Sequence, residues 1–137
     1  MYLVYQPEGS DEPTRWRYNP NKLMSAEREM LERRTGRNFA EFTQDVVKGG
    51  ALSRRALLFM FLKRDHPTTK WDDVDFAWDE LRLEFSRGEY AEMREAIAGQ
   101  LTGADLAAAL EQIDAEMADA YDDEIEETGK ARLPIVG

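Results

Sequence analysis

The stretch Ala51–Arg64, ALSRRALLFMFLKR, restricts the fold of this chain more than any other. Its centre, Ala56 to Leu62, is seven consecutive apolar residues bracketed by Arg54-Arg55 and Lys63-Arg64. A bilayer crossing needs about 20 apolar residues, so this run belongs to a protein core. No β-branched residue occurs between Ala51 and Arg64, and Gly49-Gly50 and Pro67 punctuate the two ends, which predicts a helix. A helix that is apolar all round must be covered on every side. Each Leu, Phe or Met so covered contributes about 1.5–3 kcal/mol relative to exposure. The rest of the chain has to supply those covers.

The length, 137 residues, suits one domain with a real core. The absence of cysteine excludes a disulfide framework and a thiolate metal site. One histidine, His66, precedes Pro67 at a helix end, where an imidazole commonly bonds the last carbonyls. The N-terminal MYLVYQPEG lacks the basic region and long apolar core of a secretory signal, so a cytoplasmic location is expected. The net charge of −10 is concentrated: ten acids and no base lie between Ala104 and Glu127, while 18 acids and 18 bases make up the remainder. This predicts a neutral body carrying an acidic appendage.

Residues 1–20 read as a β-hairpin, with YLVYQ and TRWRY as strands around the turn-rich PEGSDEP. A lone hairpin is marginal in water, so it must lie on the helical body or on a partner. Residues 21–99 form the helical core. Ser25 is placed as N-cap of a helix over Ala26–Thr35 closed by Gly36, and Asn38 with Glu41 as the capping box of a helix over Phe39–Lys48. After the central helix, Asp72 and Asp75 read as a helix start stapled by Trp71 and Phe76. Val74, Trp78, Leu81 and Phe85 follow at helical spacing, a face expected to pack on the central helix. A short helix over Glu89–Ala98 presents Tyr90, Met93 and Ile97.

Residues 100–128 are expected to form one long acidic amphipathic helix, and 129–137 a flexible tail. Leu106, Leu110, Ile113 and Met117, then Ala120 or Tyr121, make a narrow seam in alternating steps of three and four. That seam either folds back on Leu57 and Phe61 or takes a partner helix. Glu111, Asp114, Glu116, Asp119, Asp122 and Asp123 form an acidic face beside it. With Leu106, Leu110, Ile113, Met117 and Tyr121, the hairpin aromatics Trp16 and Tyr18 complete the candidate partner-binding set. The fold class is therefore mainly α: a multi-helix domain with a short N-terminal β-hairpin and a long acidic C-terminal helix.

No phosphate-binding glycine loop, zinc motif or nucleophile elbow occurs, and Asp72, Asp73 and Asp75 do not follow a calcium-loop spacing. No catalytic residue, metal or cofactor is expected. The basic residues are balanced by nearby acids and form no nucleic-acid stripe. Neither nucleic acid nor membrane is an expected partner.

The block Glu32–Leu81 resembles the tail assembly chaperones of long-tailed bacteriophages and prophages of actinobacteria. Three pieces carry the resemblance: the Thr35-Gly36 turn, the Gly50-Ala51-Leu52 entry into a core helix ending in Lys63-Arg64, and the Trp71-Asp72-Asp73-Val74-Asp75-Phe76 start. The resemblance implies a non-enzymatic protein of the infected cell's cytoplasm. Such a protein coats the helices of the tape-measure protein, keeps it soluble and helps recruit tail-tube protein. An apolar seam with a charged exterior agrees in kind with such a client. Self-association, an acidic DNA mimic directed at a host protein, and a structural tail or connector subunit are the other functions compatible with these features.

Overall fold

The computed structural model describes residues 1–123. Among them, three strands form one sheet and five α-helices account for most of the rest. The chain divides into two compact units, Met1–Leu83 and Glu84–Gly137.

In the first unit the hairpin forms as expected. Strand β1 (Tyr2–Tyr5) pairs antiparallel with β2 (Thr14–Arg17), Leu3 opposite Trp16 and Val4 opposite Arg15. Helix α1 covers Ser25–Thr35, α2 Phe39–Lys48 and α3 Ala51–Asp65. Asn38 Oδ1 accepts from the Glu41 N–H (2.9 Å), and Glu41 Oε1 returns the bond to Asn38 N (3.1 Å), the expected reciprocal cap. At α1 the cap position falls one residue earlier than expected. Met24 occupies it, because Glu27 Oε1 takes the Met24 N–H and draws Ser25 into the helix.

The centre of helix α3 is buried on all sides, as its composition requires: Ala56, Leu57, Leu58, Phe59, Met60 and Phe61 are each at most 4% exposed. Its covers are Leu3 and Tyr18 from the hairpin, Leu31 from α1, Phe42 and Val46 from α2, and Val74 and Leu81 from the segment after it. At the α2–α3 turn, Gly49 takes a left-handed conformation (φ +91°) and Gly50 lies directly against the Asp45 carboxylate. A methyl at Gly50 would collide with that carboxylate, which accepts a 2.6 Å bond from the buried Ser53 hydroxyl. Glycine at position 50 leaves room for the Asp45 carboxylate, and at position 49 it suits the left-handed backbone angle.

The segment after Pro67 departs from expectation. In place of a helix, 3-10 turns at Trp71–Asp73 and Trp78–Glu80 lead into a third strand, β3 (Leu81–Glu84), giving the sheet order β2-β1-β3. Asp73 accepts the Lys70 N–H (2.9 Å) and Glu80 the Ala77 N–H (2.7 Å), so each capping signal closes a single turn. Arg55 binds the carbonyls of Val74 (2.7 Å) and Trp71 (3.0 Å), the acceptors a continuing helix would need. Gln6 donates its N–H to the Glu80 carbonyl (2.8 Å), extending the contact with the β1 strand. Trp78, expected to face inward, is 51% exposed.

Arginine and lysine side chains lie over the aromatic surface of this unit. Trp71 has Arg34 over it at 4.7 Å and Arg55 at 4.3 Å, while Arg28 covers Phe39 at 4.1 Å. Such contacts contribute roughly 0.5–1 kcal/mol at exposed sites and seal rings that the small core leaves half open.

One ion pair ties α1 to α3. Arg64 Nε donates to Glu27 Oε2 at 2.7 Å and its Nη2 to Oε1 at 2.8 Å. That bidentate bond is the main reason the Glu27 carboxyl titrates below its ordinary value. A carboxyl depressed in the folded state adds stability above its unfolded value of 4.5 and loses it as pH falls through the lower folded value. Glu27→Gln is expected to cost about 0.5–1 kcal/mol at neutral pH and to flatten the acid limb of the stability curve. Urea titrations at neutral and acid pH measure this; an unchanged acid limb would show that the pair is not linked to folding.

In the second unit, α4 (Arg87–Ala98) and α5 (Gly103–Ala118) pack on one another. Ser86 caps α4 by accepting the Glu89 N–H (3.1 Å), so the helix starts two residues before the expected Glu89 and takes Gly88 into its first turn. The expected long helix over 100–128 is α5, and it ends at Ala118. Its last turn carries no base, and acids there oppose the partial negative charge of a helix C-terminus. The Asp119 and Ala120 N–H groups close a tight final turn on Glu116 and Met117. Residues 124–128 of the expected helix, and the expected tail 129–137, lie outside the described residues.

Candidate partner-binding surfaces

The predicted seam is brought together on α5, with α4 as its partner within the unit. Ile113 is buried and Leu106, Leu110 and Met117 are half-buried; Tyr90, Met93 and Ile97 are the half-buried apolar side chains of α4. The same period that marked these residues as a seam therefore places them on the one helix face that faces another helix. Arg94 of α4 clamps Asp114 of α5, Nε to Oδ1 at 2.9 Å, and this bond holds the Asp114 carboxyl below the usual carboxylate range.

Tyr121 is off the helix and is not part of the seam. It forms a parallel bridge with Ser86, and its carbonyl accepts the Arg87 N–H at 2.9 Å. The following acids turn back on the start of α4. Asp123 Oδ2 accepts the Gly88 N–H at 2.9 Å, and Asp122 lies 3.5 Å from Arg87. The hydroxyl of Ser86, with the Gly88 N–H, lowers the pKa of Asp123. Glu111, Asp114, Glu116, Asp119, Asp122 and Asp123 are all exposed, as an acidic face requires, but half of them are engaged by α4 or its first turn.

Of the hairpin aromatics, Tyr18 is interior and Trp16 is half-buried against α3. Tyr18 is 2% exposed and meets Phe61 edge-on at 6.5 Å, with its hydroxyl 3.4 Å from Thr43 Oγ1. Trp16 stacks on Phe61 at 5.4 Å and donates its indole N–H to Asp65 at 3.0 Å. The apolar face of α3 claims both rings because burying an aromatic stabilises more than leaving it wet.

Two surfaces escaped the sequence reading. A cleft of about 290 Å³ between α1 and α3 is lined by Ala26, Met30, Met60, Lys63 and the Glu27–Arg64 pair. Exposed Val47, Leu52 and Trp78 lie around the α2–α3 turn. The legible signal for Trp78 was the repeat of Lys70-Trp71-Asp72-Asp73 as Ala77-Trp78-Asp79-Glu80, one capped turn twice over.

Among the described residues no group of three carboxylates or imidazoles converges as a metal site, and no helix is long and apolar enough to cross a membrane. The fold and surfaces define a mainly helical protein with a neutral sheet-and-helix unit and an acidic helical hairpin. No protein-family model, curated protein or solved structure matches the chain.

Proposed function

We propose that this chain is a non-enzymatic tail assembly chaperone of a long-tailed actinobacteriophage or prophage. It works in the cytoplasm of the bacterial host, holds helical segments of a tape-measure protein in solution and assists assembly of tail-tube protein around them. The observation that carries this reading is the make-up of the second unit. Its α4–α5 seam has one buried apolar member, Ile113, which keeps 8% of its surface exposed, flanked by half-buried Leu106, Leu110 and Met117. The first unit balances 14 acids with 14 bases, so all ten net negative charges fall in Glu84–Gly137. A third helix added along such a seam would finish burying it, and the surrounding carboxylates would keep the pair dissolved.

Co-expression with tape-measure segments tests the proposal. The full chain is expected to bring a segment into the soluble fraction as a complex, and Leu110→Glu to reduce that yield at least roughly tenfold without unfolding the first unit. Failure to form any complex would remove the proposal. Salt-sensitive binding to a DNA-binding protein, competed by DNA, would replace it with mimicry. Stoichiometric presence in purified virions would replace it with a structural tail subunit.

A further inference from the structure

The first unit holds an indole at its surface by construction. Trp78 is 51% exposed, yet the turn that carries it is bonded from several directions: Ala77 N to Glu80 Oε1 at 2.7 Å, Gln6 N to Glu80 O at 2.8 Å and Glu8 N to Glu80 Oε2 at 2.7 Å. Its ring stacks on Phe76 at 6.3 Å, lies under the Arg54 guanidinium at 5.1 Å, and rests so close to the α2–α3 turn that a Cβ on Gly49 would sit 3.7 Å from Cζ2. Val47 (40% exposed) and Leu52 (47%) flank that turn. An apolar ring pinned in water gives up little entropy when a partner covers it, and Trp and Arg are the residues most enriched at the energetic centres of interfaces.

We propose that Val47, Leu52 and Trp78 form a docking surface for an amphipathic helix of a partner protein, with an acidic residue of that helix paired to Arg54. This surface lies in the first unit and stands or falls without the α5 seam. A helix suits this patch because the Gly49, Gly50 and Glu80 N–H groups at its turns already donate to Val46, Asp45 and Ala77 and are not offered to a partner's backbone. A segment covering the patch must satisfy its own backbone. The acid follows from Arg54, whose Nε is committed to the Val46 carbonyl at 2.9 Å while its terminal nitrogens extend over Trp78. Burial holds this guanidinium below its ordinary value, and a carboxylate beside it would restore the lost solvation.

The test titrates the isotope-labelled full chain with a synthetic helical peptide of about 18 residues, five turns, bearing leucines along one face and glutamates beside them. The Trp78 indole and the Val47 and Leu52 methyl resonances are expected to shift and saturate. Trp78→Ala and Leu52→Glu should each weaken binding roughly tenfold or more. Leu52→Glu places an acid in the first turn of α3, where the dipole favours it, so its melting curve should match the parent and separate lost binding from lost folding. A peptide with lysines in place of the glutamates should bind roughly tenfold more weakly. The proposal is overturned by the absence of shifts, by binding that both variants retain, by equal binding of the lysine peptide, or by Trp78-dependent self-association in place of peptide binding.

Discussion

Exchanging Leu58 for aspartate is expected to leave no cooperatively folded first unit. Leu58 is fully buried at the middle of α3, within a cluster of Leu57, Phe59, Met60 and Phe61, fed by the hairpin, α1 and α2. A carboxylate there would have to ionise without a partner or protonate and still lose its hydration, at a cost of several kcal/mol. The packing of the lost leucine adds about 2–5 kcal/mol more. Since a domain of this size is stable by only about 5–15 kcal/mol, the combined loss reaches the whole margin. Thermal and urea unfolding followed by circular dichroism and tryptophan fluorescence measure it, and a melting curve like the parent's would mean that α3 is not the centre of the fold.

Phe61→Ala should be the next most damaging change, because this ring joins the hairpin to α3. Trp16 stacks on it at 5.4 Å with planes 10° apart, Tyr18 meets it edge-on, and Arg64 lies over it at 5.2 Å. Truncating a buried phenylalanine costs about 3–5 kcal/mol, part of it from the cavity left behind. The loss should appear as a lower urea midpoint with little change in slope, together with a red shift of Trp16 emission as its ring becomes wetter. A loss below about 1 kcal/mol would show that the hairpin is held by its other contacts.

Much of the first unit was legible in order. The reciprocal Asn38–Glu41 signal, the Gly49-Gly50 break and the all-apolar centre of α3 are each strong, local and mutually consistent, and both helices fall on their expected residues. The hairpin was legible for the same reason, from two short β-prone runs on either side of a turn-rich linker. The seam on α5 was legible as a period, so Leu106, Leu110, Ile113 and Met117 share a face, but its partner within the second unit, α4, was not. A period reports which side of a helix is apolar and says nothing of what covers it.

The segment Trp71–Glu84 marks the limit. Its acids and aromatics have the spacing of a helix start, but a capping box is a two-bond device that closes one turn as readily as it opens a helix. Whether helix follows depends on competitors far away in sequence: Arg55 taking the Trp71 and Val74 carbonyls, Gln6 meeting Glu80, and an open side of β1 accepting Leu81–Glu84 as a third strand. Trp16 and Tyr18 show the same division, since strand alternation indicated a face while only the nearness of Phe61 made that face interior.

By itself, then, the amino-acid order determined the helices α2 and α3, the hairpin, the seam and the place where the negative charge accumulates, because propensity, caps and charge are properties of neighbours along the chain. The third strand, the outward Trp78 and the buried Tyr18 were decided only in the tertiary structure. In each of these the backbone or ring had more than one local arrangement of similar free energy, and a contact with a residue distant in sequence selected among them.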